Sequence, residues 1–456
     1  MSIRRGLLGF LLFGISVGAA SQTLEDEAVS WLQQYIQIDT INPPGNETRA
    51  VDFLAAIFEA EGIEYETAES APGRGNIWAR LEGGDEPGLI LLQHSDVVPA
   101  NEEFWTIPVL SGAIRDGFIL GRGARDMKGL GTLQLATFLA LHRSGVALNR
   151  DVVFLASADE EAGGFYGVGW LIENRPEIFE DIGILLNEGG GTSRVGQQTV
   201  FSVEVTQKVP VWLKLYAVDT PGHGSSPRTT SSVTRIIQSL NTIMQNPFEP
   251  RIIGPVAEYF SQLAVSMDEE WARYYADISA AIELPGFVEK LHETRPSHNS
   301  LIRDTCSITR MRGSSKINVV PPTAWAELDC RILPDKPPEQ FINELSELIR
   351  HTGVEIQTIM AFTPAISDTN TRLFDAINSV TQELHPGSRV LPSVSTGFTD
   401  SHFTRDLGII SYGFNPVITN NGEHTGVHGN DEQVGESAFR RAVGDYYAVV
   451  RNVVIN

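Results

Sequence analysis

Cysteine is scarce in this chain: Cys306 and Cys330 are the only two in 456 residues, and neither lies near the acidic clusters described below. A thiol nucleophile is thereby disfavoured, and no thiolate is on offer to a metal at those clusters. Basic residues are also few. Lys and Arg total 34 against 57 Asp and Glu, a formal net charge of -23. Nucleic acid, whose phosphates need a basic face, is a poor partner for such a chain. The excess reads as a solvated acidic surface. The apolar run Leu7 to Val17 is too short to span a bilayer comfortably. Two glycine signatures are incomplete. Gly121-Arg122-Gly123 lacks the third glycine of a dinucleotide fingerprint, because position 126 is Asp, and Gly189-Gly190-Gly191 is not followed by the Lys-Ser/Thr of a phosphate loop. No internal repeat or low-complexity tract is visible.

What is present begins with an export signal. Arg4 and Arg5 precede the apolar run, and Gly18-Ala19-Ala20-Ser21 supplies small residues suited to cleavage. Residues 1–22 are therefore expected to be a signal peptide, with an uncleaved anchor as the alternative. Gly14-Ile15-Ser16-Val17-Gly18 matches a serine-hydrolase elbow but falls inside this segment and is set aside. Export implies an oxidising compartment. A hairpin centred near Asn318 would put Cys306 across from Cys330, so the pair is either a disulfide or two buried thiols.

An apolar share of 42% and a charged share of 20% describe a globular protein, and the length favours two domains. Strands alternate with helices as far as about residue 209. Gly88-Leu89-Ile90-Leu91-Leu92-Gln93 is a continuous apolar run, as expected of a strand covered on both faces. Val152 to Ala156 and Ile182 to Leu186 read the same way. From Val211 the strand Trp212 to Val218 alternates as a half-exposed one, and a Pro-punctuated helical stretch fills 246–299. The expected architecture is α/β, with a catalytic domain built on a central mixed sheet (23–209 and 361–456) and an inserted smaller α+β lid domain (210–360).

Polar clusters follow directly on the apolar runs, where open α/β sheets put their sites. They hold His94, Asp96, Asp126, Glu160, Glu161 and Glu188, with His428 near the C-terminus. Imidazole and carboxylate without thiolate suit a first-row metal, most commonly zinc. Five ligands are too many for one tetrahedral ion but suit two ions that share a carboxylate, and paired ions can activate a water and polarise a carbonyl. Any one of these residues alone is weak evidence, since a Glu-Glu pair is usually just solvated charge.

The order of the clusters carries more. His94-Ser95-Asp96-Val97-Val98-Pro99, Gly121-Arg122-Gly123-Ala124-Arg125-Asp126-Met127-Lys128-Gly129, Asp159-Glu160-Glu161, Asn187-Glu188-Gly189-Gly190 and Val427-His428-Gly429-Asn430-Asp431-Glu432 together resemble the di-zinc aminoacylase and carboxypeptidase family. Asn299 to Thr305 and Lys316 to Pro322 look most like its branch of carboxypeptidase S and secreted N-fatty-acyl-amino-acid hydrolases. The resemblance implies a zinc-peptidase-like fold and two Zn2+, with Co2+ or Mn2+ as substitutes. It implies that Asp126 bridges the ions, that His94 and Glu188 complete one site, and that Glu161 and His428 complete the other. Asp96 would orient the ring of His94, and Glu160 would act as general base and acid on the metal-bridging hydroxide. His223 would stabilise the oxyanion, reaching the partner subunit's site in dimeric relatives, although Pro221-Gly222-His223 stands where the family usually has Gly-Gly-His. Asn318 and Arg331 would hold the substrate, the planar guanidinium suiting its carboxylate. Ser395 to Asp400 resembles a loop on the substrate side. The implied partner is a small N-acyl amino acid or short peptide, with a homodimer through the lid as a further expectation. A dipeptidase or carboxypeptidase of the same mechanism is the rival within enzymes, and a metal-bound peptide-binding protein without turnover the rival outside them.

Overall fold

The computed structural model describes residues 23–195, 198–420 and 422–455. The segment read as a signal peptide lies outside the described residues. No helix among the described residues is long and apolar enough to cross a membrane.

The chain opens with the helix Leu24–Ile36, capped by the Thr23 side chain on the backbone N–H of Asp26, and continues into the helix Thr48–Glu61. A ten-stranded mixed sheet follows. Its parallel centre is Arg150–Ser157, Glu86–His94, Ile182–Asn187 and Ile410–Gly413, in that order. The antiparallel strands Gly75–Leu81 and Tyr65–Glu69 extend one side. On the other side, Gln198–Gln207 pairs with both Ile410–Gly413 and the parallel strand Arg389–Ser395.

The apolar run Leu89 to Leu92 is fully buried because both faces of the sheet are covered. Leu89 and Leu91 point into the core formed with the helices Leu24–Ile36, Lys128–Ser144 and Glu436–Val454, while Ile90 and Leu92 point to the opposite side, against Val168, Leu171 and Ile178. A strand loaded on both faces has no need of alternation, which is why its sequence lacks any.

A four-stranded sheet, ordered Thr305–Arg312, Thr323–Ile332, Val209–Val218, Glu355–Ala361, has its own core. Val209, Val211, Leu213, Leu215 and Ala217 alternate inward against the helices Ser232–Gln245 and Pro338–Ile349. Two strand ends join the sheets. Between Gln198–Gln207 and Val209–Val218 stands Lys208, whose buried ammonium donates to Arg303 O (2.9 Å) and Thr305 Oγ1 (2.9 Å). The Lys208 backbone N–H donates to Ser395 O (2.8 Å) of the large sheet, and beyond the end of Glu355–Ala361, Ser367 N donates to Val205 O (2.9 Å). The helical stretch 254–301 packs around Phe260, Trp271, Tyr275 and Leu291, and this cluster includes Val394 of the large sheet. It therefore packs on Arg389–Ser395 of the large sheet, although in sequence it lies between strands of the smaller one.

Cys306 and Cys330 face each other on antiparallel strands and form a disulfide. They are separated by 24 positions, a loop whose closure is worth about 3 kcal/mol in a chain-entropy treatment. The double variant C306A/C330A is expected to lower the stability of the smaller sheet by about 3 kcal/mol, read as a shifted urea midpoint of the Trp212 and Trp325 fluorescence.

Candidate metal centre

The parallel strands end together, and the polar clusters leave from those ends. His94 closes its strand in register with Ser157, so His94 and the turn at 158–161 emerge side by side. Glu188 follows Asn187 at the end of the neighbouring strand. Asp126 comes from the loop between the short strand Phe118–Leu120 and the helix Lys128–Ser144. His428 arrives because Gln433–Gly435 pairs antiparallel with Phe118–Leu120, which lays the turn before it against the Asp126 loop.

The histidines divide Asp126 between them. His94 Nε2 lies 3.3 Å from Oδ1 of Asp126 and 3.6 Å from Oε1 of Glu188. His428 Nε2 lies 3.1 Å from Oδ2 of Asp126 and 3.2 Å from Oε2 of Glu161. A carboxylate that faces a separate imidazole with each oxygen has the disposition a bridging ligand needs. Glu160 stands back, 3.9 Å from His94 Nε2. Simple proximity groups the residues differently, as His94, Asp126, Glu161 and as His94, Glu160, Glu188, either of which could hold a metal ion. We favour the division by imidazole, since it uses both oxygens of Asp126.

The fit to a cation has independent support. His94 Nε2 and Glu161 Oε1 are buried without a hydrogen-bond partner, a costly condition for polar atoms unless something else engages them. The other ring nitrogen of His94, Nδ1, donates to the backbone oxygen of Asp96 at 3.0 Å, which leaves the Nε2 lone pair turned toward Asp126 and Glu188. Asp96 is fully buried. Its carboxylate accepts from Asn42 Nδ2 (2.7 Å) and from the backbone N–H groups of Glu160 and Glu161 (3.2 Å each). One residue thus orients His94 and also pins the turn that carries the paired glutamates.

Charge crowding sets the electrostatics. Burial, then repulsion by Glu188, raises the Glu160 carboxyl well above the usual range. Burial likewise raises Glu188 to about 7 and Asp400 to about 8. Hydrogen bonds to Asp126 and Glu161 raise His428 to about 10. Burial opposes charge on His94, yet Glu188, Asp126 and Asp96 still hold its proton affinity well above normal. Asp126 goes the other way: although buried, it is lowered by the two imidazoles it meets. The pocket is short of positive charge.

Three residues given no role from sequence complete the site. Glu432 is fully buried and accepts from the backbone N–H groups of Gly123 (3.0 Å), Arg125 (2.8 Å) and Asp126 (3.0 Å) and from Arg122 Nη1 (2.7 Å). It binds the Asp126 loop to the His428 turn across 306 positions. Its place at the end of the last motif was a signal, but nothing local says which loop it faces. Lys128 is buried and caps the end of the first helix through Tyr35 O (3.0 Å) and Ile38 O (2.7 Å). Asp400, in the loop flagged from sequence, accepts from Ser157 Oγ at 3.1 Å.

The residues expected to touch substrate lie on the smaller sheet and its loops. His223 and Asn318 come together on a two-stranded ribbon in which Gly224 N donates to Asn318 O at 2.9 Å. His223 is exposed, its Nδ1 engaged by Ser225, and among the described residues no hydrogen bond or ion pair joins it to the strand-end cluster. Arg331 pairs with Asp329 at 2.7 Å and lies over the ring of Phe398, 5.4 Å from its centre. Its Nη1 is buried and unpartnered, so the guanidinium meets the substrate-side loop with donor capacity to spare.

Comparison with known proteins agrees with this arrangement. Residues 90–452 match the model of Peptidase family M20/M25/M40. The chain is 28% identical over 385 residues to the N-fatty-acyl-amino acid synthase/hydrolase PM20D1 of Xenopus tropicalis, covering 82% of this chain and 74% of that one. It is 24% identical over 433 residues to human aminoacylase-1, covering 92% and 94%. The crystal structure of the M20 family metallo-carboxypeptidase Sso-CP2 from Sulfolobus solfataricus superposes with a TM-score of 0.71 at 19% identity, over 93% of this chain and 99% of that chain. The family that the motifs resembled is the family that matches. This chain belongs to Peptidase family M20/M25/M40 and is a hydrolase of amide bonds.

Proposed function

We propose that the protein is exported and hydrolyses N-acyl amino acids or short peptides that carry a free carboxylate, with two zinc ions at the centre. His94, Asp126 and Glu188 would hold one ion, and Asp126, Glu161 and His428 the other. The observation that carries this reading is the split of Asp126 between two imidazoles, with Glu160 set farther off, 3.9 Å from His94 Nε2. Ions bound there supply a polarised amide carbonyl and an acidified water. The arginine pair and apolar run at the N-terminus, together with the Cys306–Cys330 disulfide, support the export part of the reading.

Glu160 would take a proton from the attacking water and return it to the leaving amine nitrogen. In the metal-free protein burial raises its proton affinity, the direction a proton shuttle needs. Asp96 keeps His94 in one tautomer and aims the Glu160 turn. On the lid, the unpartnered Nη1 of Arg331 would pair with the substrate carboxylate, while His223 and Asn318, on the ribbon beyond the other end of the strand Thr323–Ile332, would reach the oxyanion and the substrate either within their own chain or across a lid-mediated dimer. We assign residues 210–360 to this lid and 23–209 with 361–456 to the catalytic domain. A dipeptidase or carboxypeptidase would use the same residues, and only the substrate panel separates it from an acyl-amino-acid hydrolase.

Three outcomes are expected. Glu160→Gln lowers kcat by about 10²- to 10⁴-fold while zinc content by mass spectrometry stays at the wild-type value. A turnover screen of N-acyl amino acids, dipeptides and their carboxyl-amidated forms favours the free carboxylates, and Arg331→Met removes that preference chiefly through KM; equal cleavage of amidated substrates by wild type would take Arg331 out of the role.

The third concerns metal removal. Glu188, Asp400 and His428 all bind protons more tightly in the folded, metal-free protein than in an unfolded chain, as do Glu160 and His94. The folded state therefore holds the extra protons between about pH 5 and pH 8, and stability falls as pH rises across that window. Chelated protein melts at a lower temperature at about pH 8 than at about pH 5.5, and added zinc restores most at the higher pH. A melting temperature of chelated protein that rises with pH would contradict the assignment.

A further inference from the structure

The turn that carries Glu160 and Glu161 is entered through Asp159, whose backbone is left-handed at φ 72°. A non-glycine residue holds that conformation only where its surroundings impose it. Here they do. The Asp159 carboxylate accepts from Arg74 Nη2 (2.6 Å) through Oδ1 and from the backbone N–H of Tyr166 (2.9 Å) through Oδ2. The same Nη2 of Arg74 meets Glu47 Oε1 at 2.8 Å, and that oxygen also accepts the backbone N–H of Asp159 at 3.3 Å. Arg74 lies over the Tyr166 ring, 5.3 Å from its centre. Asn42 Nδ2 spans the gap to the metal side, 2.7 Å from Asp96 Oδ2 and 3.4 Å from Asp159 Oδ1. Arg74, Glu47, Asp159 and Asn42 are all buried.

We infer that Arg74, whose Nη2 is shared between Glu47 and Asp159, is a positioning residue that fixes the turn from which the general base and one metal ligand project. The inference rests on the reading of Glu160 as base and Glu161 as ligand. Asp96 holds the backbone of that turn from the metal side, and the Arg74 brace holds its entry from behind. Asn42, Glu47 and Arg74 all precede residue 90, where the family match begins, and none belongs to a ligand motif. Their contribution is geometric. One guanidinium nitrogen, Nη2, serves both carboxylates while the planar group lies over the Tyr166 ring and sets Nη1 3.4 Å from Pro44 O; a lysine ammonium keeps the charge and loses that fixed placement. A partner that orients a ligand from behind typically changes metal affinity or activity by about 10- to 100-fold.

The test is zinc titration by calorimetry on metal-stripped wild type and R74K, alongside steady-state kinetics on the best substrate of the panel. The expected result is a first zinc equivalent bound as in wild type, a second weakened by about 10-fold or more, and kcat reduced by about 10-fold or more with KM changed by less than about twofold. Thermal melting identifies a variant that fails to fold, in which case Asp159→Asn carries the same two readouts. If wild type binds two zinc ions and turns over while R74K matches it within about twofold in second Kd and kcat, the inference falls and the reading of the site stands. If wild type binds no pair of zinc ions, the reading itself fails, and the inference with it.

Discussion

Six carboxylates, those of Asp96, Asp126, Glu160, Glu161, Glu188 and Asp400, share one largely buried pocket with the imidazole of His94. Carboxylates taken out of water and set against one another resist ionisation, and the raised proton affinities of Glu160, Glu188 and Asp400 express that resistance. Asp96 escapes it because its carboxylate accepts from Asn42 and two backbone N–H groups and lies 3.4 Å from His94 Nδ1. The others have no such supply. A pocket of this kind is tolerable to a folded chain when cations enter it, and the rest of the structure is arranged to keep its ligands apart by the right amount.

That arrangement is built from strand ends and clamps. Parallel strands in register deliver His94, the 158–161 turn and Glu188 to one edge of the sheet without further help. Asp126 and His428 come from irregular chain and need fastening. The short pairing of Phe118–Leu120 with Gln433–Gly435 brings them close, and Glu432 ties three backbone N–H groups of the Asp126 loop to the turn of His428. Burying that glutamate is affordable only because Arg122 faces it at 2.7 Å and the backbone donors take up its remaining lone pairs.

The smaller sheet meets the larger one through the backbone of Lys208 on Ser395 and the irregular segment 365–367 on Val205 and Thr206, and through Arg331 over the ring of Phe398. Its ribbon with His223 and Asn318 stands exposed, and among the described residues no hydrogen bond or ion pair joins His223 to the strand-end cluster. The helical stretch 254–301 adds a further contact, packing on Arg389–Ser395 of the large sheet.

Much of this was legible in the sequence, for a local reason. A continuous apolar run followed at once by His94-Ser95-Asp96 or Asn187-Glu188 describes a buried strand and the polar turn at its end, and both parts are adjacent in the chain. The two-sided strands, the half-exposed strand Val209–Val218 and the hairpin that faces Cys306 with Cys330 follow from the same kind of short-range pattern. What the sequence by itself determined was the kind of residue at each strand end, and through the order of those motifs the family. Only the tertiary structure decided which oxygen of Asp126 faces which histidine, that Glu432 grips the Asp126 loop, that Arg74 and Glu47 brace Asp159, and that the helices of 254–301 lean on the large sheet. Those contacts join segments tens to hundreds of positions apart. They depend on strand register and on the crossing of loops, for which neither hydrophobic period nor motif spacing carries a signal.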